Sequence, residues 1–521
     1  MSNPLIEALS RPALFDHPVD SFELIETHIS WVLLTGPYAY KIKKPVDFGF
    51  LNFTSLSARK AFCEAEVSLN RRLAPEIYDT VLPLYGSAQS PSFQASGEPF
   101  EYVVRMHQFP TGQLLSELHE RGELNVGHID RLGEILAHFH ADIEIAAPTS
   151  EFGTPAQVMA PVSQNFEQIR PLLGDNTNDL RQLDLLQGWA EDSFQRLNEL
   201  FSQRKAQGFI RACHGDAHLG NITLFNQQVT LFDCIEFNEA FRWTDVCADT
   251  AFLIMDLEAR GEPQLANHCL NRYLEISGDY QSLALLNFYK SYRAMVRAKV
   301  SLFMMQGADA SGREALLAEY RKYAELAESY TCVPFRFAAI THGLSGSGKS
   351  TAGNKLIDGL RIIRVRSDVE RKRLFGLAPE ASSESELNAN IYSTEATQQT
   401  YDHLTGLCVE ILSYGFSVVV DATYLKQHQR QQIHDAVEEQ GVPFLILSCE
   451  AELDNIRRWI QTRADEGGDA SEANLDVLEQ QLKSSEPLTE QEMHYRKLVK
   501  TDDQDSVDSL VARIRQRFDQ H

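Results

Sequence analysis

Between Phe22 and Val46 the apolar positions fall into two runs, ISWVLLT and YAYKIKK, parted by Gly36 and Pro37, a pattern that predicts strands joined by a turn. LSARKAFCEAEVSLNRRL then shifts to helical spacing, with Ala61, Ala65, Leu69 and Leu73 along one face. EYVVRMHQF, residues 101–109, returns to a strand pattern that Pro110 and Gly112 end. Helical character follows to about residue 207, with loops predicted at FGTPAQVMAP and GDNTND. A small strand-rich unit thus precedes a larger helical one. Around TCVPF, residues 331–335, a long helical stretch gives way to FRFAAITHG and then to alternating strands and helices, which places a domain boundary between 1–332 and 333–521. Such alternation predicts a parallel sheet with ligands at the carboxyl ends of its strands.

Within the first part, HGDAHLGNI (214–222) sets Asp216 and Asn221 five positions apart, just ahead of the runs ITLF and VTLFD. A hairpin closed by the three residues NQQ pairs Phe225 with Val229 and, counted back, sets Asn221 opposite Asp233. Directly opposed residues have Cβ atoms about 5 Å apart on one face, so both side chains can reach one cation. Amide and carboxylate oxygens suit Mg²⁺, which takes its remaining ligands from water and nucleotide phosphates. Asp216, on the preceding loop, is placed to accept the proton of an attacking hydroxyl. Glu236 is read as a solvated loop residue, with a second metal ligand as the alternative. Lys290, Arg293 and Arg297 form a basic stripe at helical spacing, read as a solvated face rather than a seat for an anionic substrate.

The second part opens with GLSGSGKST, that is Gly343, Leu344, Ser345, Gly346, Ser347, Gly348, Lys349, Ser350 and Thr351, between the strand FAAIT and a helix. The glycines let backbone N–H groups wrap phosphates, and the helix N-terminus adds a favourable dipole. Lys349 reaches the β and γ phosphates, and Ser350 offers a hydroxyl to Mg²⁺. Two later strands end in acids, IIRVRS leading to Asp368 and GFSVVVD ending at Asp421, so both carboxylates emerge at the edge that carries the phosphate loop. One can hold Mg²⁺ while the other activates an acceptor hydroxyl; helix N-capping is the competing role for Asp368. The strand FLILSCE precedes a helix with Arg457, Arg458 and Arg463, then a polar stretch, ADEGGDASEANLD, suited to a lid whose arginines clamp a transferring phosphoryl group.

Composition narrows the partners. The 521 residues carry a formal net charge of −25, which opposes sequence-independent binding to nucleic acid or anionic membrane. RIIRVRSDVERKR (361–373) is one candidate for a local basic groove, with a solvated helix end beside a phosphate site as the alternative. Eight cysteines without a CxxC pair or zinc-like spacing read as reduced packing thiols. No run approaches the roughly 18 apolar residues of a membrane span, and the N-terminus lacks a secretory pattern, so a cytoplasmic location is expected.

HGDAHLGN resembles the HGDxxxxN loop of the aminoglycoside phosphotransferase and choline kinase branch of the protein-kinase-like fold. The resemblance covers roughly residues 22 to 330 and implies an α+β kinase-like domain with Asp216 as base, and Asn221 and Asp233 as metal ligands. It further implies Lys41 as the phosphate-binding lysine, with Lys43 as rival, Glu66 as its partner, with Glu64 as alternative, and RMHQFPTG as the adenine hinge. The Gly-rich loop of that pattern is absent, since HISWVLLTGPYAYK contains only Gly36. Residues from about 334 to 521 resemble the small P-loop kinases that include polynucleotide 5′-hydroxyl kinase and zeta-toxin relatives. That resemblance implies an α/β P-loop fold with Asp368 as base, Asp421 as the Walker-B-type acid and Arg463 as the lid arginine; Trp459 stands where the pattern often has another arginine, leaving Arg458 as a stand-in. The favoured reading is a bifunctional kinase using ATP and Mg²⁺ at both sites on small hydroxylated acceptors. A regulatory N-terminal pseudokinase and an ATP-driven switch are the alternatives.

Overall fold

The runs ahead of residue 46 are rich in β-branched and aromatic side chains, and they fold as strands. In the computed structural model, which describes residues 3–49, 51–332, 334–378, 390–466 and 474–518, these strands are Glu23–Glu26 (β1), Ser30–Leu34 (β2) and Tyr38–Lys43 (β3). Tyr78–Ser87 (β4), Ser90–Ser92 (β5) and Glu101–His107 (β6) complete an antiparallel sheet in the order β1-β2-β3-β6-β4-β5. Strand alternation sends Tyr40 and Ile42 into an apolar cluster with Leu5, Leu9, Leu33 and Val103, while Ala39, Lys41 and Lys43 turn to the other face. The helix Leu56–Asn70 covers that second face.

Two expectations for this first part need correction, and one strand is unanticipated. The helix buries Arg59, Cys63, Glu66, Val67 and Asn70 rather than the predicted Ala61, Ala65, Leu69 and Leu73 face, because the inward side is the one that delivers polar groups. FGTPAQVMAP is not a loop throughout. The helix Pro155–Ile169 begins inside it and carries Pro161. Strand β4 went unrecognised, since Pro83 and Gly86 interrupt its pattern, yet both residues pair within the sheet.

Packing groups residues 1–128, 142–167 and 192–256 into one unit and residues 129–141, 168–191 and 257–521 into another. The first holds the α+β sheet together with two short pairings, Ile210–Ala212 (β7) with Trp243–Asp245 (β10) and Ile222–Phe225 (β8) with Gln228–Leu231 (β9). The second contains a five-stranded sheet of Ala338–His342 (β11), Ile362–Arg366 (β12), Ser417–Asp421 (β13), Phe444–Glu450 (β14) and Arg496–Lys500 (β15). Its order is β12-β13-β11-β14-β15 and every pairing is parallel, which makes this an α/β sheet covered on both faces. Ala339, Leu356, Ile362, Val419, Leu447 and Leu510 pack one of its cores.

The basic stripe on the helix Leu283–Met304 is not solvated. Lys290 and Arg293 are buried, with Lys290 Nζ 3.0 Å from Glu258 and 4.1 Å from the Tyr330 ring centre. All eight cysteines are free, and seven are buried. Among the described residues, no helix is long and apolar enough to cross a membrane.

A charged contact within the second unit gives a pH-dependent expectation. His268 lies between Asp130, 3.5 Å from Nδ1, and Asp358, which bonds Nε2. Burial disfavours the imidazolium, but the two carboxylates outweigh it and push the pKa up from 6.5 to about 9. A folded pKa above the unfolded one means the contribution is complete below about pH 6.5 and is lost as pH rises through about 9. Thermal melts between those values should show a falling midpoint, and His268→Gln should flatten that part of the profile.

Candidate active sites

The hairpin after the HGD loop is tighter than predicted. β8 and β9 pair Phe225 with Gln228 and Ile222 with Leu231, so the turn is the two residues Asn226 and Gln227, both at positive φ (49° and 63°). Two-residue hairpins favour such backbone angles, and Asn tolerates them readily. The register therefore shifts by one, and Asn221 lies beside Phe232, whose N–H donates to the Asn221 carbonyl at 2.9 Å. Asp233 is not the cross-strand partner of Asn221. It follows the strand at φ 62°, and its N–H donates to the Tyr78 hydroxyl at 3.2 Å.

Around Asp216 the contacts are dense. Asn221 Nδ2 donates to the Asp216 carboxylate at 2.9 Å and to its backbone carbonyl at 3.1 Å, which leaves the amide oxygen as the remaining polar atom of Asn221. His214 Nε2 lies 2.9 Å from the Phe232 carbonyl, and the Asp216 N–H lies 3.3 Å from His214 Nδ1. Those partners assign the tautomer with the proton on Nε2. Burial lowers the pKa of this imidazole, so the ring stays neutral near pH 7. Asp249 accepts the N–H groups of His214 and Gly215 at 2.9 and 2.8 Å, and Asp256 accepts that of Leu219 at 2.9 Å. The loop is thus held by the helix Val246–Ala259, which carries Asp249 and Asp256, and by Phe232 at the end of β9.

On the sheet side both rival lysines meet Glu66. Lys41 Nζ lies 2.7 Å from Glu66 and 2.5 Å from Asp233, and Lys43 Nζ lies 2.6 Å from the other Glu66 oxygen while also bonding Glu236. Burial works against the Lys41 charge, but Asp233 and Glu66 more than offset it and hold its pKa well above the ordinary value. The two ammonium groups conversely keep Glu66 ionised despite complete burial. Glu64 faces solvent near Lys60. Glu236, expected in a solvated loop, is buried, because Lys43 enters the interior and requires a second carboxylate there.

In the second unit the phosphate loop follows β11 and precedes the helix Lys349–Gly359, as predicted. A Cβ on Gly343 would stand 2.5 Å from the Cys449 carbonyl, so only glycine fits. Lys349 Nζ donates to the Leu344 carbonyl at 2.6 Å across the loop. Asp421 closes β13 beside it, with Oδ1 3.3 Å from the Thr341 hydroxyl. Its Oδ2 and Ser347 Oγ are buried and meet no hydrogen-bond partner among the described residues. Two orphaned oxygens beside a glycine loop fit a bound triphosphate with a hard cation. Ser350 and Thr351 start the following helix.

Asp368 occupies the first turn of the helix Ser367–Leu374, where no side-chain cap is present, so the N-capping role is not observed. The basic segment around it forms no open groove. Arg364 and Arg366 each lie 3.0 Å from Glu275, Arg373 bonds Glu370, and Arg371 and Lys372 are buried. Arg457 and Arg458 are on the helix Leu453–Glu466, bonded to Asp454 and Asn455. The Arg463 side chain and residues 467–473 of the expected lid lie outside the described residues. Gln481, unpredicted, makes a two-point contact with Ser345, accepting its N–H at 2.7 Å and donating to its hydroxyl at 2.9 Å. Leu344 packs on Ile456, Ile460 and Leu478, so Leu344 and Ser345 at the front of the loop contact the helices Leu453–Glu466 and Leu475–Ser484.

Comparison with known proteins gives two family matches. Residues 58–286 match the phosphotransferase enzyme family and residues 339–488 match the AAA domain. An uncharacterized protein of Mycobacterium tuberculosis is 27% identical over 458 residues, covering 87% of this chain and 89% of its own length. Among solved structures, the ethanolamine kinase of Plasmodium vivax aligns with 61% of this chain and 86% of its own at 12% identity and a TM-score of 0.39. Kti12 of Chaetomium thermophilum, in complex with ADP-AlF3, aligns with 35% of this chain and 98% of its own at 14% identity and a TM-score of 0.28.

Proposed function

From a chain that carries a phosphotransferase enzyme family segment ahead of an AAA-domain segment, we propose a bifunctional ATP-dependent phosphotransferase, each site moving the γ-phosphoryl group of ATP to an acceptor hydroxyl. The observation that carries this reading is the convergence at the first site of Asp216 and Asn221, 2.9 Å apart, with a lysine–carboxylate set of Lys41, Glu66 and Asp233. At that site the Asp216 carboxylate takes the proton of the acceptor hydroxyl while the new O–P bond forms and the bond to the β-phosphate oxygen breaks. Lys41, oriented by Glu66, binds phosphate oxygens, and Asn221 and Asp233 hold Mg²⁺, which when bound neutralises charge on the phosphates. At the second site the loop N–H groups and Lys349 bind the phosphates, Ser350 and Asp421 hold Mg²⁺, and Asp368 accepts the acceptor proton. Arg463 is the proposed lid cation.

Acceptors are proposed to be small hydroxylated molecules in the cytoplasm. A nucleic-acid 5′ end is less supported, because Arg364, Arg366 and Arg373 of the basic segment 361–373 pair with Glu275 and Glu370. One observation favours a second reading, in which the first site binds without transferring: the turn between β1 and β2, Thr27-His28-Ile29, has no glycine to fold over phosphates. Transfer from γ-labelled ATP into fractionated cell extract tests both readings. The intact chain should label acceptors, Asp216→Ala should erase one set and Lys349→Ala another. Labelling that survives Asp216→Ala entirely would leave only the second site active.

A further inference from the structure

Among the described residues, strand β12 is the outermost strand of the parallel sheet and pairs with β13 alone. Its other edge is met by side chains of the helix Pro263–Ser277. Asn271 Nδ2 donates to the Ile362 carbonyl at 3.0 Å, and its Oδ1 accepts the Arg364 N–H at 2.7 Å. In a parallel ladder, one residue of a neighbouring strand engages the same carbonyl and N–H, two positions apart. A single carboxamide therefore stands in for a missing strand. One turn earlier, Asn267 Nδ2 reaches the carbonyls of Ile357, Leu360 and Ile362 at 3.1, 3.3 and 3.1 Å, serving the end of the phosphate-loop helix and the turn into β12. One turn later, Glu275 takes Arg364 and Arg366 at 3.0 Å each. The spacing 267, 271, 275 places all three on one helix face.

The same segment also grips the chain beyond the strand. Tyr280 OH donates to Glu370 at 3.1 Å, and Arg373 Nη2 donates to the Glu275 carbonyl. Gly278, at φ 70°, lies where a Cβ would come 2.6 Å from Arg373 Nε, so glycine is required for that approach. Asn267, Asn271, Glu275, Tyr280 and Glu370 are all buried. Asp368 lies between these two sets of contacts, two residues after Arg366 and two before Glu370.

We propose that Asn271 and Glu275 are positioning residues for the second site, fixing through β12 the place from which Asp368 acts on the acceptor. The inference rests on the role proposed above for Asp368. It makes the P-loop site dependent on a helix that lies outside the AAA-domain match and inside the phosphotransferase match.

The test uses the full chain with the first site silenced by Asp216→Asn, carrying in addition Asn271→Leu, with Glu275→Gln as a milder second variant. Hydrogen exchange of the peptides spanning residues 362–370 reads the edge contact, titration with a fluorescent ATP analogue reads nucleotide binding, and ATP turnover gives kcat and KM. Expected are faster exchange in that segment, analogue affinity and ATP KM within about twofold of wild type, and a kcat lowered about tenfold to a hundredfold, the size of effect that slight misplacement of a reacting group produces. Wild-type exchange or wild-type kcat in both variants would overturn the proposal. So would a nucleotide affinity that falls in step with kcat, which marks general damage to the fold. Lys349→Ala separates the two layers: turnover unaffected by it would count against the proposed reaction, and the exchange measurement would then decide the edge contact alone.

Discussion

Asp216→Asn should lower phosphate transfer at the first site by about 10³-fold, the middle of the range over which a positioned general base contributes. The substitution is nearly isosteric and keeps an oxygen for Asn221 Nδ2, whose 2.9 Å contact now ends on the carboxylate. What it removes is the proton acceptor. The backbone of the loop stays anchored through His214, Asp249 and Asp256, so the thermal midpoint and the affinity for ATP should change little. A fall in kcat with unaltered ATP affinity places Asp216 in the chemical step. Unchanged transfer to every acceptor that the intact chain labels would make this site a binding module, which the glycine-free turn at Thr27-His28-Ile29 already favours as the second reading.

The loops that carry the proposed chemistry were legible because they depend on local sequence. HGDAHLGN and GLSGSGKST are contiguous, and the strand Ser417–Asp421 is a short β-branched run that stops at a charged residue. Partner choice was less legible, since it depends on which face turns inward. The helix Leu56–Asn70 was assigned an apolar inward face, but it presents Glu66 and Asn70 to the interior, a breach of the binary pattern that makes sense only once two buried lysines need a carboxylate. Glu236 was misread for the same reason. The hairpin register failed by one residue because a three-residue turn and a two-residue turn fit the same letters, and only positive φ at Asn226 and Gln227 separates them. Contacts distant in sequence left no local trace: Gln481 on Ser345 spans 136 residues, and Asn271 on Arg364 spans 93.

Lys349→Ala should abolish most turnover at the second site, by about 10² to 10³-fold, because the loop amides alone carry only partial charges against a triphosphate. Lys349 is nearly buried and folds across the loop to the Leu344 carbonyl at 2.6 Å, so its loss also removes a brace. For that reason the variant should bind ATP less tightly as well as turn over slowly, whereas Asp421→Asn should weaken the response to Mg²⁺ most, since it alters a carboxylate whose Oδ2 has no hydrogen-bond partner among the described residues. Product identity then separates two arrangements of the whole protein. If the sites act independently, Lys349→Ala leaves the product that depends on Asp216 at its wild-type rate, and the double variant loses both products additively. If one site supplies the acceptor of the other, one variant erases both products while its counterpart lets the singly phosphorylated compound accumulate, and the accumulating species names the order. Wild-type ATP turnover in Lys349→Ala, with Asp216→Asn already silent at the first site, would refute catalysis at the glycine loop.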